Sequence, residues 1–138
     1  YTKFTGKIRT PGVYGSVEDA TFTIEDDTQK NVTWTNGTWL DGTWSGRGCF
    51  WNNGTWKNGT WKSGYWGGGT WENGTHLGGI FDGGVWKDGL WEYGVFDNGT
   101  WENGTWKDGD WSKDATWING KDYKGEEHKD APFAWEIA

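Results

Sequence analysis

A large ring side chain stands at every fifth position through the middle of the chain. From Trp51 to Trp111 the series runs through Trp56, Trp61, Trp66, Trp71, His76, Phe81, Trp86, Trp91, Phe96, Trp101 and Trp106 without a break. Three earlier units centre on Trp34, Trp39 and Trp44, with two extra residues before Trp51. One later unit centres on Trp117, after one extra residue. These 17 units hold 14 of the 15 Trp, and Trp135 alone lies outside them. Self-similarity at a fixed short period predicts a repeat architecture. The unit reads Gly-Thr-Trp-x-Asn, as in Gly54-Thr55-Trp56-Lys57-Asn58. Alternation along an extended segment puts Gly and Trp on one face, Thr and x on the other. The x position carries Lys57, Lys62, Glu72, Lys87, Glu92, Glu102 and Lys107. Those charges need water, so the Trp face should point inward. The Asn-Gly, Asp-Gly or Gly-Gly pair that follows supplies a corner, because Asn and Gly tolerate positive φ.

Two architectures could use this unit. One is a meander of short strands joined by two-residue hairpins, for which Asn-Gly is a strong signal. Backbone parity argues against it. Thr60 must pair back with Lys57 and Lys62 forward with Tyr65, yet Thr60 and Lys62 aim their backbone groups at the same neighbour. Every second hairpin would forfeit its hydrogen bonds. The other architecture is an all-β solenoid, in which each five-residue segment stacks on an equivalent one a coil away. Stacking the x charges at 15 residues makes opposite pairs of Lys57/Glu72, Glu72/Lys87, Lys87/Glu102 and Glu92/Lys107, with Asp82/Asp97 the one like pair. Stacking at 20 gives the like pairs Glu72/Glu92, Asp82/Glu102 and Lys87/Lys107, which would destabilise neighbouring strands. The spacing therefore favours a three-sided solenoid with 15 residues per coil, about four regular coils long with irregular ends. Three Trp per layer crowd the inside of such a triangle, so a four-sided coil of 20 residues stands as the alternative. The expected core stack is Trp51, Trp66, Phe81 and Phe96 in one column and Trp56, Trp71, Trp86 and Trp101 in the next.

The order of small, polar, large apolar and two polar residues resembles the pentapeptide-repeat family. That resemblance implies a right-handed, four-sided β-helix, with Gly54 and Trp56 in the two inward places and their equivalents along residues 31–120. The chain departs from the family pattern in placing Trp where the family has Leu or Phe. Tandem Gly-Thr-Trp-x-Asn tracts also look, more loosely, like repeats in structural proteins of tailed bacteriophages.

Flanking segments complete the expected organisation. Residues 1–30 hold β-like stretches at Lys3–Thr10 and Ala20–Glu25, a turn at Pro11-Gly12 and a polar connection around Asp26-Asp27. They form an N-terminal cap or the end of a preceding domain. Residues 31–120 are the solenoid. Residues 121–138 are a charged loop and an apolar docking tail around Phe133, Trp135 and Ile137. Caps are needed because an open coil exposes unpaired strand edges.

Composition narrows the function classes. Aromatics are 19% of the 138 residues while all hydrophobics are 33%, a balance foreign to disordered chains. The one Cys rules out a disulfide framework within the chain. A net charge of −7 opposes nonspecific nucleic-acid binding. No apolar run is long enough to span a membrane. The chain starts at Tyr1 rather than Met, which suggests a processed product or a piece of a longer protein.

No catalytic or metal-ligating constellation stands out, and no cofactor is expected. His76 replaces a repeat Trp and reads as a buried, hydrogen-bonded residue. Cys49, beside the irregular corner Gly46-Arg47-Gly48, reads as a small buried apolar group, with an interchain disulfide as the other reading. Asn31, Asn36, Asn53, Asn58, Asn73, Asn98 and Asn103 match the glycosylation pattern, but corner chemistry alone generates those matches.

The outward position before Trp is mostly Thr on two faces. On the third it is Phe50, Tyr65, Ile80 and Val95, closed by Asp110. Such an apolar stripe should be covered by the C-terminal tail, by the segment from Phe22 to Ile24, or by another copy. The reading is a non-enzymatic structural or interaction module: a rigid fibre, spacer or decoration protein of a virion or cell surface. Its partner is protein, through self-association or a larger assembly. The alternative is a carbohydrate-binding module that uses Trp stacking, and below it an acidic DNA mimic. Ice binding through the Thr columns fits poorly, because Lys or Glu fills the second row.

Overall fold

The computed structural model describes residues 3–25, 28–46 and 48–135. The expected connection at Asp26-Asp27, the corner residue Arg47 and the tail residue Ile137 lie outside these. The chain is an all-β solenoid of about six turns with about 15 residues per coil. Strands β1 (Phe4–Arg9), β2 (Val13–Ile24) and β3 (Val32–Trp44) come first. Six two-residue strands, β4 to β9, then begin at Phe50, Thr55, Thr60, Tyr65, Thr70 and Thr75. β10 (Ile80–Trp86), β11 (Leu90–Trp91), β12 (Val95–Trp101), β13 (Thr105–Trp106) and β14 (Asp110–Trp111) continue the series. β15 (Thr116–Trp117), β16 (Gly120–Asp122) and β17 (Glu127–His128) close it.

Pairing between coils is parallel and sorts the ring residues into three columns. The first holds Trp34, Trp51, Trp66, Phe81, Phe96 and Trp111. The second holds Trp39, Trp56, Trp71, Trp86, Trp101 and Trp117. The third holds Trp44, Trp61, His76, Trp91 and Trp106. Partners in the regular region stand 15 residues apart, which sets aside the four-sided coil and the squared helix implied by the pentapeptide resemblance. The regular stack also runs further than the four coils read from the sequence. The extra residues after Trp44 and Trp111 are absorbed between strands, so Trp34 still meets Trp51 and Trp101 still meets Trp117.

Each unit sends two hydrogen bonds to the coil before it. The Thr70 N–H donates to the Gly54 carbonyl at 2.9 Å, and the Glu72 N–H to the Trp56 carbonyl at 2.7 Å. Parallel stacking thus satisfies the backbone groups that consecutive hairpins would have orphaned. Only Thr and Trp of most units are strand. The Gly sits at the corner rather than sharing the extended face with Trp. At Gly59, φ is +124°, and a Cβ would stand 2.4 Å from the Gly42 carbonyl oxygen of the preceding coil. The corner is therefore closed to any side chain on two grounds, dihedral and space.

Ring geometry answers the crowding objection. Between coils Trp56 and Trp71 stack with centroids 4.9 Å apart and planes 8° from parallel. That distance matches the strand spacing of about 4.8 Å, so each ring lies flat on the one below. Within a coil Trp56 meets Trp61 edge-on, at 5.7 Å and 73°. Both arrangements suit the ring quadrupole. Three indoles arranged edge to face fill the triangle, and every Trp from Trp34 to Trp101 is fully buried.

The ends are closed differently from the middle. β2 runs antiparallel to β3 and sets Val13, Val17 and Phe22 opposite Trp44, Trp39 and Trp34. Phe22 stacks on Trp34 at 6.1 Å, and Phe4 meets Phe22 edge-on at 5.8 Å. β2 begins at Val13, well before the stretch expected from the sequence at Ala20; Val13, Gly15 and Val17 are buried in alternation with Tyr14 and Ser16, and the alternation breaks at Glu18-Asp19, where the pairing with β3 shifts register. β1 lies antiparallel on β2. At the other end, part of the expected charged loop is ordered as β17, antiparallel to β16.

Candidate interaction surfaces

The residues expected in the core stack are all interior. Trp51, Trp56, Trp66, Trp71, Phe81, Trp86, Phe96 and Trp101 are buried, with no ring face left for a ligand. His76 is interior too, between Trp61 at 6.2 Å and Trp91 at 3.8 Å. Its Nδ1 lies 3.1 Å from the Tyr93 carbonyl, while Nε2 has no partner within the protein. Burial drives its pKa down to about 3, so the ring stays neutral at ordinary pH. Cys49 is a buried free thiol whose Sγ accepts the Val32 N–H at 3.3 Å. Burial raises its pKa and holds it as a thiol. Asn36, Asn53 and Asn98 each turn Oδ1 onto the N–H of the following Gly, the corner role the sequence suggested.

The outer stripe forms one row, from Phe50 through Tyr65 and Ile80 to Val95, with Asp110 after it. Phe50 is 45% exposed and Ile80 39%, while Tyr65 and Val95 are half-buried. Two of the three expected covers are engaged elsewhere. Phe22 packs under Trp34, and Trp135 packs on Trp117 at 5.4 Å at the far end of the solenoid. Beside the stripe the Tyr65 hydroxyl donates to Asp82 Oδ2. That bond to a carboxylate raises the Tyr65 pKa. Desolvation, then the hydrogen bond and charge of Asp82, raise that of Asp97. The like pair read from the sequence is thus a real neighbour pair. Of the opposite pairs, Glu92 and Lys107 close to 3.7 Å. Lys57, Glu72, Lys87 and Glu102 stand in register, with no ion pair within 4.0 Å among the described residues.

A cleft of about 780 Å³ opens at the C-terminal end of the solenoid, which the sequence did not reveal. Trp111, Tyr123, Phe133 and Trp135 line it together with Asp108, Asp110, Asp122 and Glu126. Asp122 stands opposite Trp106, so Gly120-Lys121-Asp122 is one more repeat unit with a carboxylate in the ring position. The ring periodicity hid it; the Gly two residues before Asp122 was the available signal. Asp122 Oδ1 accepts the Lys124 and Glu126 N–H groups at 2.9 and 3.0 Å, and Oδ2 meets His128 Nε2 at 2.9 Å. The His128 hydrogen bond is the main reason the Asp122 pKa is lowered. His128 stacks on Trp135 at 4.0 Å, and its carbonyl accepts the Trp117 indole N–H at 2.9 Å. Asp122, Glu126 and His128 could offer three ligand atoms within 4.8 Å of one another. Both Asp122 oxygens are already engaged, however, so the trio acts as the lock of the terminal hairpin. Among the described residues, no helix is long and apolar enough to cross a membrane. Comparison with protein-family models, with curated proteins and with solved structures finds no match, so the β-solenoid stands as the level at which this chain is classified.

Proposed function

We propose that the chain is a non-enzymatic structural module, a stiff spacer or fibre segment within a larger protein assembly on a virion or cell surface. The supporting observation is the ring core: three columns of stacked aromatic side chains run the length of the solenoid and are withdrawn from solvent. Aromatic pairs contribute about 0.5–1.5 kcal/mol each beyond their buried area. Every coil adds three such stacks, and its backbone is tied to the next coil on each side. That design gives length and stiffness while the outer faces carry mostly Thr and charged side chains, apart from the Phe50–Val95 stripe. Kinship with pentapeptide repeats, or with repeats of tailed-phage structural proteins, belongs to the same proposal. It fits the unit order and departs from the family in coil shape and in Trp. The test is placement: antibody labelling in electron micrographs of the source's particles and cells. Label on fibres or surface layers supports the module, and label confined to the soluble fraction overturns it.

Burial of the repeat Trp removes the original basis for glycan binding, but the end cleft supplies a second one. Trp135, Phe133 and Tyr123, beside Asp108, Asp110 and Glu126 and the lysines Lys107 and Lys124, form a wall of the kind on which pyranose rings stack and hydrogen-bond. A glycan array, followed by Trp-fluorescence titration of Trp135→Ala against the native chain, distinguishes this reading. Saturable quenching lost in the variant supports it.

A further inference from the structure

The indoles form a connected network with one narrow point. Ring contacts join the Trp residues from Trp34 to Trp71 into one group, and those from Trp86 to Trp135 into another. Among the described residues, Trp71 and Trp86 make the one Trp–Trp contact between the groups, stacked at 4.6 Å and 10°. The other two columns are interrupted at this level, where Trp66 meets Phe81 and Trp61 meets His76. Before the crossing, routes run in parallel: Trp56 stacks on Trp71, and Trp51 reaches Trp71 through Trp66. An indole gives up one electron far more readily than a benzene ring or a neutral imidazole. Stacked Trp are therefore steps for a migrating electron vacancy, and Phe81, Phe96 and the neutral His76 are breaks. Removing an electron also makes the indole N–H acidic, and losing that proton pins the vacancy in place. The Nε1 groups of Trp39, Trp56, Trp71, Trp86 and Trp101 are withdrawn from solvent and have no acceptor within the protein, so the proton stays and the vacancy stays mobile. A cation is also better solvated near water than in an apolar interior. Trp111 and Trp135 at the C-terminal end are half-buried, whereas Trp34, Trp39 and Trp44 at the other end are sealed.

We infer that the aromatic core conducts one-electron oxidation along the solenoid, with Trp71–Trp86 as its single crossing and Trp135 as its outlet. A one-electron oxidant, of the radical or high-valent metal class, takes an electron from a Trp of the first coils and is itself reduced. Each indole radical cation is refilled by an electron from the next Trp, and no proton moves. From Trp86 the vacancy passes to Trp101 and Trp117, stacked at 4.8 and 5.1 Å in turn. Trp135 meets Trp117 at 5.4 Å and stands at the cleft. There the N–H proton passes to solvent and a neutral radical remains. A thiolate or ascorbate-type reductant returns one electron, and water one proton, to restore the ring. This inference rests on the core alone and is independent of the assembly reading above.

A ruthenium polypyridyl photo-oxidant attached through Thr35→Cys tests it. Thr35 is exposed next to Trp34 in the chain, and the native Cys49 is buried. The labelled chain is irradiated in air with a cobalt(III) ammine as electron acceptor. Dioxygen adds to neutral indole radicals, and peptide mapping then locates the oxygenated Trp. The labelled chain should accumulate product at Trp135, far from the label. Trp61→Phe should leave that product in place, because its column leads only to His76. Trp86→Phe should lose it and confine oxidation to the label's side of the crossing. Trp71→Phe should do the same from the other side. Both put Phe in a ring position, as Phe81 and Phe96 already stand, and near-UV circular dichroism checks that the core stays packed. Adding His76→Trp to Trp86→Phe should restore the product at Trp135, since the third column then runs from Trp61 to Trp91 without a break. Product at Trp135 that is absent from the labelled chain, or that persists in both Trp86→Phe and Trp71→Phe, overturns the path. So does equal oxidation of unlabelled chain mixed into the sample, or failure of His76→Trp to restore the product.

Discussion

At the scale of single residues, His76 is the point where the ring column is weakest. Its Trp61 contact is 6.2 Å, against 4.9 Å for Trp56 on Trp71. The native ring holds no proton until about pH 3, whereas the unfolded chain binds one below 6.5. Between those values the unfolded state carries the extra proton, so stability falls as pH is lowered through that window, by about 1.4 kcal/mol per unit. His76→Trp should remove that part of the acid dependence. It should also stabilise the fold at neutral pH by closing the stack on Trp61. Denaturant titrations at pH 7 and pH 4 read both effects, and an unchanged pH difference would contradict them. The corners give a second residue-scale contrast. Gly125→Ala meets no atom within 4 Å and has only the +90° φ to overcome, costing about 1 kcal/mol. Gly59→Ala has both the dihedral and the Gly42 carbonyl against it and should cost roughly 3 kcal/mol or more. Equal midpoints for the two variants would refute the role assigned to the corner.

The coil is the element that matters, rather than the individual strand. A two-residue strand has no stability of its own and exists because it is stacked above and below. Removing residues 82–96 takes out one whole circuit and joins Phe81 to Asp97. Every later unit then keeps its column, because partners are 15 residues apart. The shortened chain should fold, retain its near-UV signal and lose stability in proportion to the missing coil, as expected when each repeat contacts only its neighbours. Loss of the folded signal in this deletion would count against a three-sided coil. Terminal elements behave differently, since β2 and β17 meet the solenoid antiparallel and tolerate no such excision. Breaking the Asp122–His128 contact by His128→Ala should loosen β17 and Trp135 and leave the interior coils protected. Hydrogen exchange resolved along the chain reads this directly.

For the molecule as a whole, the partly exposed Phe50–Val95 stripe is the apolar row on the outside of the solenoid. Ile80 is exposed, so Ile80→Asp should shift the thermal midpoint little, with a stability change within about 0.5 kcal/mol. A large loss would show that the stripe is buried in the state measured. Intrinsic fluorescence supplies a global check. With the repeat Trp out of water, emission should be blue-shifted and resistant to a soluble quencher until the solenoid unfolds.

Much of this architecture was legible in one dimension. A ring every five residues, Gly two places before it and charge one place after it dictate an inward face and a corner. Backbone parity then excludes the hairpin meander, and the sign of Lys57, Glu72, Lys87 and Glu102 selects the 15-residue circuit. These follow from the sequence because they are local or depend only on spacing. Other features needed the third dimension. How three indoles share one layer depends on their mutual tilt, 73° between Trp56 and Trp61, which no residue order specifies. The coil count depended on whether insertions fall between strands or within them. Asp122 joins the ladder only through its backbone, so its unlike side chain concealed it. The cleft, and the pairing of Trp135 with His128, arise where the chain reverses after β16 and stops following the repeat. Only the folded chain brings those distant residues together.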